Sequence, residues 1–207
     1  MYEYIKIPNI FKREQFGNNK LLDGQYSSHE LEYLQNCQWI WTEKIDGTNI
    51  RIIWDGYRVS IKGRTDNSQI PPHLLQKLEE MFLGTPKEEV FEQKFGNQTA
   101  VLYGEGYGEK IQNGGAYGPV NFILFDVNID GWWLKRSGIV EIAGYFDLNV
   151  VPIVGHGTLP EAVEYIKGHP KSVFKNETME GIVAKPFYDL FDRGGKRIIT
   201  KVKCVDF

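Results

Sequence analysis

Lys44 lies in the stretch Glu43-Lys44-Ile45-Asp46-Gly47-Thr48-Asn49, between two strand-like runs, Gln38–Thr42 and Ile50–Trp54. A lysine at the end of one strand, followed by an Asp-Gly turn, presents an amine at the mouth of a cleft instead of on a solvated face. Such an amine can act as a covalent nucleophile. It must first be drawn below the ordinary lysine pKa of about 10.4, where it is almost wholly protonated at neutral pH. Desolvation or nearby positive charge does this. Arg64, Lys185, Lys201 and Lys203 are the cations available elsewhere in the chain, and a bound metal ion would add to them. Alone, Lys-x-Asp-Gly is short enough to recur by chance as a surface lysine before a turn.

The elements that must hold this lysine read as a meander. Gln38–Thr42, Ile50–Trp54 and Arg58–Lys62 look like successive strands, and Asp55-Gly56 between the last two is a hairpin turn signal. Leu74, Leu75, Leu78, Met81 and Phe82 recur at helical spacing, which predicts a helix over His73–Phe82 and a second short one to Phe95. Further strands are expected at Thr99–Tyr103, ending in Gly104-Glu105-Gly106, and at Asn121–Val127, Trp132–Leu134, Val150–Val154, Glu180–Lys185 and Arg197–Lys203. Helices are expected at Ser137–Phe146 and at Leu159–Gly168, the latter with Pro160 in its first turn. Residues 1–36 read as a lead-in packed on the core, with a short helix capped by Ser27 or Ser28. No repeat or linker is visible, so the expectation is a single α+β domain over 1–207 in which antiparallel strands dominate.

Composition narrows the function. The chain of 207 residues carries a formal charge of -3, so it is no generally basic nucleic-acid coat, and any contact with a polyanion must come from a local patch. Cys37 and Cys204 form no Cys-x-x-Cys pair, the four histidines are scattered, and no zinc spacing appears. No apolar run approaches a membrane span, and the N-terminus lacks the apolar core of a signal peptide. The expected setting is therefore cytoplasmic, without membrane contact. Gly104-Glu105-Gly106-Tyr107-Gly108 invites a dinucleotide-binding reading, but the spacing is not Gly-x-Gly-x-x-Gly and no helix signal follows.

Lys44-Ile45-Asp46-Gly47 resembles the first motif of the covalent nucleotidyltransferases, the polynucleotide ligases and mRNA capping enzymes. Later segments follow in the family's order. Tyr103-Gly104-Glu105 resembles the third motif, Phe122–Asp126 the aromatic strand after it, Glu180–Lys185 the fourth, and Lys201-Val202-Lys203 the fifth. Asn49 is the residue found in RNA ligases of the phage RNA ligase 2 type, where DNA ligases and capping enzymes usually carry Arg. Gly108-Glu109-Lys110-Ile111-Gln112-Asn113 resembles the stretch after the third motif in that group, which includes the RNA-editing ligases. Asp46 departs from the His of the phage prototype.

The resemblance implies a ligase-type adenylyltransferase fold, with mainly antiparallel sheets flanked by helices and a nucleotide cleft between sheets. It implies an ATP-dependent RNA ligase that uses Mg2+ or Mn2+, with Lys44 taking AMP from ATP. Phe125 would stack on adenine; its simpler role is a core aromatic. Glu105 would bind the ribose hydroxyls, or else be a strand-end carboxylate facing water. Glu180 would hold the metal, or else be a solvated turn residue. Lys201 and Lys203 alternate and so share a face; they would meet the triphosphate, or else guard an edge strand. Arg64 would contact phosphate or the acceptor end. Lys185 and Asn49 would be further nucleotide contacts, with Asn49 organising the nucleotide loop or the reacting end, and the backbone of Glu43 would meet the adenine. Asp46 reads as a turn residue, with a metal role as its alternative.

The expected partners are RNA ends, in nicked RNA or RNA–DNA duplexes. The oligonucleotide-binding (OB) or helical C-terminal domain usual in these relatives is not expected within this chain, so an accessory partner protein, an extended N-terminal segment or weak intrinsic affinity would each account for grip on the polynucleotide. The protein is expected to be a monomer, and a phage source is compatible with the resemblance. The alternatives are a minimal DNA nick ligase, a guanylyltransferase, or a catalytically idle relative that binds nucleic acid or a partner.

Overall fold

The computed structural model describes residues 2–207 other than 15, 17 and 113. In chain order its elements are β1 (Phe11–Arg13), β2 (Leu21–Tyr26), α1 (His29–Tyr33), β3 (Trp39–Glu43), β4 (Thr48–Trp54), β5 (Val59–Gly63), α2 (Pro72–Phe82), α3 (Thr85–Phe95), β6 (Ala100–Tyr107), β7 (Asn121–Ile129), β8 (Trp132–Trp133), α4 (Arg136–Tyr145), β9 (Asn149–Val150), β10 (Ile153–Gly157), α5 (Leu159–Lys167), β11 (Gly181–Pro186) and β12 (Thr200–Lys203). The α+β class and the dominance of antiparallel pairing match expectation. The elements group into two units: residues 2–4 with Asp46–Val151, and Ile5–Ile45 with Pro152–Phe207.

In the first unit the sheet runs β5-β4-β6-β7-β8, with β9 parallel to β7. Strand side chains alternate between faces. One face, carrying Ile50, Ile52, Leu102, Phe122, Leu124 and Val127, is sealed by Leu74, Leu78 and Phe82 of α2, Phe91 and Phe95 of α3, and Ile139 and Ile142 of α4. The other face carries Asn49, Arg51, Tyr103, Glu105 and Asp126.

In the second unit the sheet runs β10-β3-β11-β12, all antiparallel. Trp39, Trp41, Ile182, Ala184 and Val202 point to one face and bury Leu159, Ala162, Val163 and Ile166 of α5. That helix starts at a capping box, Thr158 with Glu161, which satisfies two orphan backbone donors.

Three expectations need correction. Residues 1–36 are more than a lead-in: β1 and β2 pair as a hairpin, and Ile10, Phe11, Leu21 and Leu31 belong to the core of the second unit. Their strand signal is hidden because Leu21-Leu22-Asp23-Gly24 does not alternate. The expected strand Val150–Val154 is two strands broken at Pro152. β9 pairs with β7 in the first unit, and β10 pairs with β3 in the second. Proline lacks the ladder N–H, so the chain can leave one sheet there and enter the other. Finally, β6 continues through Gly104-Glu105-Gly106 to Tyr107. A Cβ at Gly104 would collide with the Phe122 ring, so this glycine is a close-approach residue inside the strand and not its end.

Candidate active site

In the second unit, period-two alternation puts the tight-packing residues beneath the sheet and a different set above it. The register pairs Val183 with both Thr42 and Lys201, and Gly181 with Lys203. Lys44 continues β3 by donating its N–H to the Gly181 carbonyl at 2.9 Å. Lys44, Lys185, Lys201 and Lys203 therefore share the face opposite α5. A Cβ at Gly181 would strike the Val202 carbonyl, so glycine is what lets β11 and β12 close here.

Glu180 joins this face from just before β11. Its Oε2 accepts from Lys44 Nζ at 2.6 Å, and its Oε1 accepts from Lys203 Nζ at 2.6 Å. The carboxylate is only 15% exposed, so it is not the solvated turn residue of the simpler reading. A charge-assisted bond at each oxygen fixes both amines. Lys201 is half-buried. Burial pushes its amine below the ordinary lysine range, and the charges of Lys203 and Lys44 push it the same way against the opposing effect of Glu180. The cluster holds more positive charge than its one carboxylate balances, which suits an anion.

Among the described residues no group of three or more His, Cys, Asp and Glu side chains is placed to hold a metal ion. A lone carboxylate beside an anion site nevertheless fits Mg2+ or Mn2+. Such hard cations are commonly held by one or two carboxylates, with phosphates and waters completing the shell. Glu180 is the residue here that could hold one.

Glu43 points the other way. It is 1% exposed, and its carboxylate accepts from the Ser172 hydroxyl and from the Val173 N–H at 2.9 Å. Its own N–H is committed to the Pro152 carbonyl at 3.0 Å. Its side chain ties the 172–173 loop to the strand that ends at Lys44.

In the first unit, Asn49 and Glu105 are direct cross-strand partners on the polar face of β4 and β6. The Asn49 side-chain oxygen is buried without a hydrogen-bond partner among the described residues, a cost a ligand donor would remove. Opposite Tyr103-Gly104 the register of β7 jumps from Asp126 to Leu124, so Phe125 is the extra residue of a β-bulge. Bulges re-aim side chains next to functional sites. Phe125 is half-buried, with the Tyr4 ring edge-on at 5.1 Å, while Leu124 and Asp126 on either side are fully buried. It is thus not a plain core aromatic.

Arg64 is exposed in the loop after β5. That loop is held by Arg51, which sequence reading passed over. Arg51 is 1% exposed, and it donates to the Gly63 carbonyl at 2.7 Å and to Asp66 at 2.9 Å. The available signal was a lone charge amid the apolar run Ile50–Trp54. Tyr4, bonded to the Asp126 carboxylate, is a second support that carried no sequence signal. Asp46 begins the turn, and its N–H faces the Tyr117 hydroxyl at 3.5 Å. Of the stretch Gly108–Asn113, Asn113 lies outside the described residues.

A sequence model of the RNA ligase family matches residues 38–203, a span that contains every residue singled out above except Tyr4. No curated protein matches the chain. Among solved structures, an RNA ligase of Naegleria gruberi in its apo form superposes with a TM-score of 0.63 at 20% identity, covering 84% of this chain and 51% of that one. The same enzyme solved with ATP and Mn gives a TM-score of 0.63 at 20% identity over the same shares. A form with AMP and Mn gives 0.64 at 17% identity, over 98% of this chain and 62% of that one. The chain thus spans about half the length of the first two of these structures and 62% of the third, and at these identities the likeness carries the fold. Matched by the family model over most of its length, the chain belongs to the RNA ligase family.

Proposed function

We propose that this protein is an ATP-dependent RNA ligase that joins 3′-hydroxyl and 5′-phosphate ends through a lysyl-AMP intermediate, and that residues 1–207 act as one nucleotidyltransferase domain. The observation that carries this reading is the pairing of Lys44 with Glu180 at 2.6 Å, on one face with Lys201 and Lys203, in a chain of the RNA ligase family.

Lys44 Nζ attacks the α-phosphorus of ATP. A P–N bond forms, the bond to pyrophosphate breaks, and the amine gives up a proton. A 5′-phosphate oxygen then attacks the same phosphorus and breaks the P–N bond. A 3′-hydroxyl attacks the activated 5′-phosphorus and AMP leaves. Each step gathers negative charge on phosphate oxygens, and pre-placed cations stabilise charge where it develops. Lys203 and Lys201 supply that stabilisation, and Glu180 holds the amines in place. A divalent ion held by Glu180 would neutralise phosphate charge. In the first unit, Phe125 offers a ring for adenine, Glu105 acceptors for ribose hydroxyls, and Asn49 an unsatisfied oxygen. Arg64 and Lys185 are further phosphate contacts, and Glu43 acts by positioning β3.

The lowered pKa of Lys201 gives a pH-dependent consequence. Phosphate restores the amine toward the ordinary value of about 10.4. Binding therefore takes up a fraction of one proton at alkaline pH, between the lowered and the ordinary value, and takes up none well below both. Calorimetry of ATP binding to Lys44→Ala, which cannot release the proton of adduct formation, in two buffers of different ionisation enthalpy measures this. Lys201→Met should abolish the uptake.

The test of the acceptor is transfer from purified, AMP-loaded enzyme to 5′-phosphorylated strands. Sealing of nicks with RNA at the 3′-hydroxyl side is expected to exceed sealing of all-DNA nicks at least about tenfold, a difference of 1.4 kcal/mol in barrier. Equal or faster DNA sealing would make this chain a DNA nick ligase.

A further inference from the structure

The second unit contains a cavity of about 620 Å³ beside β12 whose lining includes Arg13, Asn18, Asn19 and Lys20 as well as Lys201 and Lys203. Asp206 is the single carboxylate among its lining residues. It is committed to Arg13, whose Nη2 it binds at 2.5 Å, while Nη1 of the same guanidinium donates to the Asn19 carbonyl at 3.0 Å. Arg13 is thereby held rigid with part of its five-donor fork still unused. Lys20 is exposed, and the side-chain amides of Asn18 and Asn19 add neutral donors. Four cations against two paired carboxylates, Asp206 on Arg13 and Glu180 on Lys203, with the amide side chains of Asn18 and Asn19 in the same lining, is an oxyanion site.

Its position says what kind of anion. Lys44 ends β3, Glu180 leads into β11, and Lys201 and Lys203 lie on β12. Asn9 bridges Lys201 in parallel, so the segment leading into β1 lies beyond β12. Cations thus run across the strands from Lys44 through Lys203 and Lys201 to Arg13 and Lys20. At about 4.8 Å per strand the row spans roughly 14 Å. One phosphate group cannot engage a row of that length, whereas a phosphodiester chain can. With a formal charge of -3 on the whole protein, a polyanion needs such a local patch. Arg13 and Lys20 also lie outside the span matched to the RNA ligase family, which begins at residue 38.

The geometry points to a second phosphate subsite, formed by Arg13, Asn18, Asn19 and Lys20 beside Lys201 and Lys203, that takes backbone phosphates of the strand carrying the 5′-phosphate. This rests on the ligase reading, and it gives the N-terminal hairpin the task of gripping the polynucleotide.

The test is salt-dependent binding of a 5′-phosphorylated single-stranded oligoribonucleotide to wild type and to Lys20→Ala, Arg13→Ala and Lys12→Ala, with the rate of adduct formation from ATP measured on the same preparations. Each lost phosphate contact on a single strand flattens the slope of log affinity against log salt by about 0.7. Lys20→Ala and Arg13→Ala should each do so and weaken binding several-fold, with adduct formation within about twofold of wild type. Lys12 is exposed on the same strand as Arg13 but does not line the cavity, so Lys12→Ala should keep the wild-type slope. Lys20→Ala removes only an exposed side chain, which keeps the test independent of folding defects in Arg13→Ala. An unchanged slope in Lys20→Ala overturns the proposal. So does slowed adduct formation with RNA binding intact, which would make the cavity a pyrophosphate site. Failure of wild type to form an adduct would strike the ligase reading itself, and because the binding slope needs no catalysis, the two failures are distinguishable.

Discussion

Lys44→Ala is expected to form no covalent nucleotide adduct while keeping its fold. Nothing in its surroundings can substitute for the amine. Lys203 and Lys201 stand on β12, across β11 from the strand that Lys44 ends, and Lys203 is already bound to Glu180 Oε1 at 2.6 Å. The side chain is partly exposed at 22%, so its truncation leaves no large cavity, and the thermal midpoint should stay within a few degrees of wild type. The measurement is retention of labelled nucleotide through denaturation, alongside a melting curve. Lys44→Arg makes the stricter control, because it keeps the positive charge but cannot act as the nucleophile at neutral pH.

Glu180→Gln carries the second largest effect, slowing adduct formation by about 100-fold or more. The carboxylate is the element that orders the lysines. It fixes Lys44 and Lys203 from its two oxygens, and it opposes the mutual repulsion that pushes Lys201 down. An amide of the same shape donates from one end, so it cannot accept from both amines. Misplacing a nucleophile by about 1 Å is enough to cost such a factor. The Mg2+ dependence of the residual rate separates two roles. If Glu180 also holds the ion, the concentration needed for half-maximal rate rises several-fold in the variant. If it only orders the lysines, that concentration is unchanged. A variant of full single-turnover rate would remove Glu180 from the mechanism.

The residues of the lysine face could be read before the structure because local rules govern them. A strand places i and i+2 on one face, so Lys201 and Lys203 had to act together, and an Asp-Gly turn had to free the end of β3 at Lys44. Glu180 was legible as a residue of the motif but not as the partner of Lys44, since a 136-residue separation in the chain holds no trace of a 2.6 Å contact. The supporting residues were illegible for the same reason. Arg51 looked like a lapse in an apolar strand until its guanidinium was found on the Gly63 carbonyl. Phe125 looked like one aromatic of a buried strand until the bulge beside Tyr103-Gly104 set it apart from its neighbours. Pro152 was visible, but its consequence was not, because whether a proline ends a strand or hands the chain to another sheet depends on where the partners lie. The β1–β2 hairpin was missed because Gly24 and Asp23 interrupt its alternation, although its register is irregular in any case.

The measurement that bears most directly on this account is incubation of the purified protein with α-labelled ATP and a divalent ion, followed by denaturation and mapping of the labelled peptide, with GTP and NAD in parallel. Label is expected from ATP alone, in an acid-labile bond at Lys44, chased off by pyrophosphate. Label from GTP or NAD in place of ATP would move the protein to another branch of covalent nucleotidyl transfer. Absence of label from all of these, in folded protein shown free of bound AMP, or label on a residue other than Lys44, would contradict the central claim.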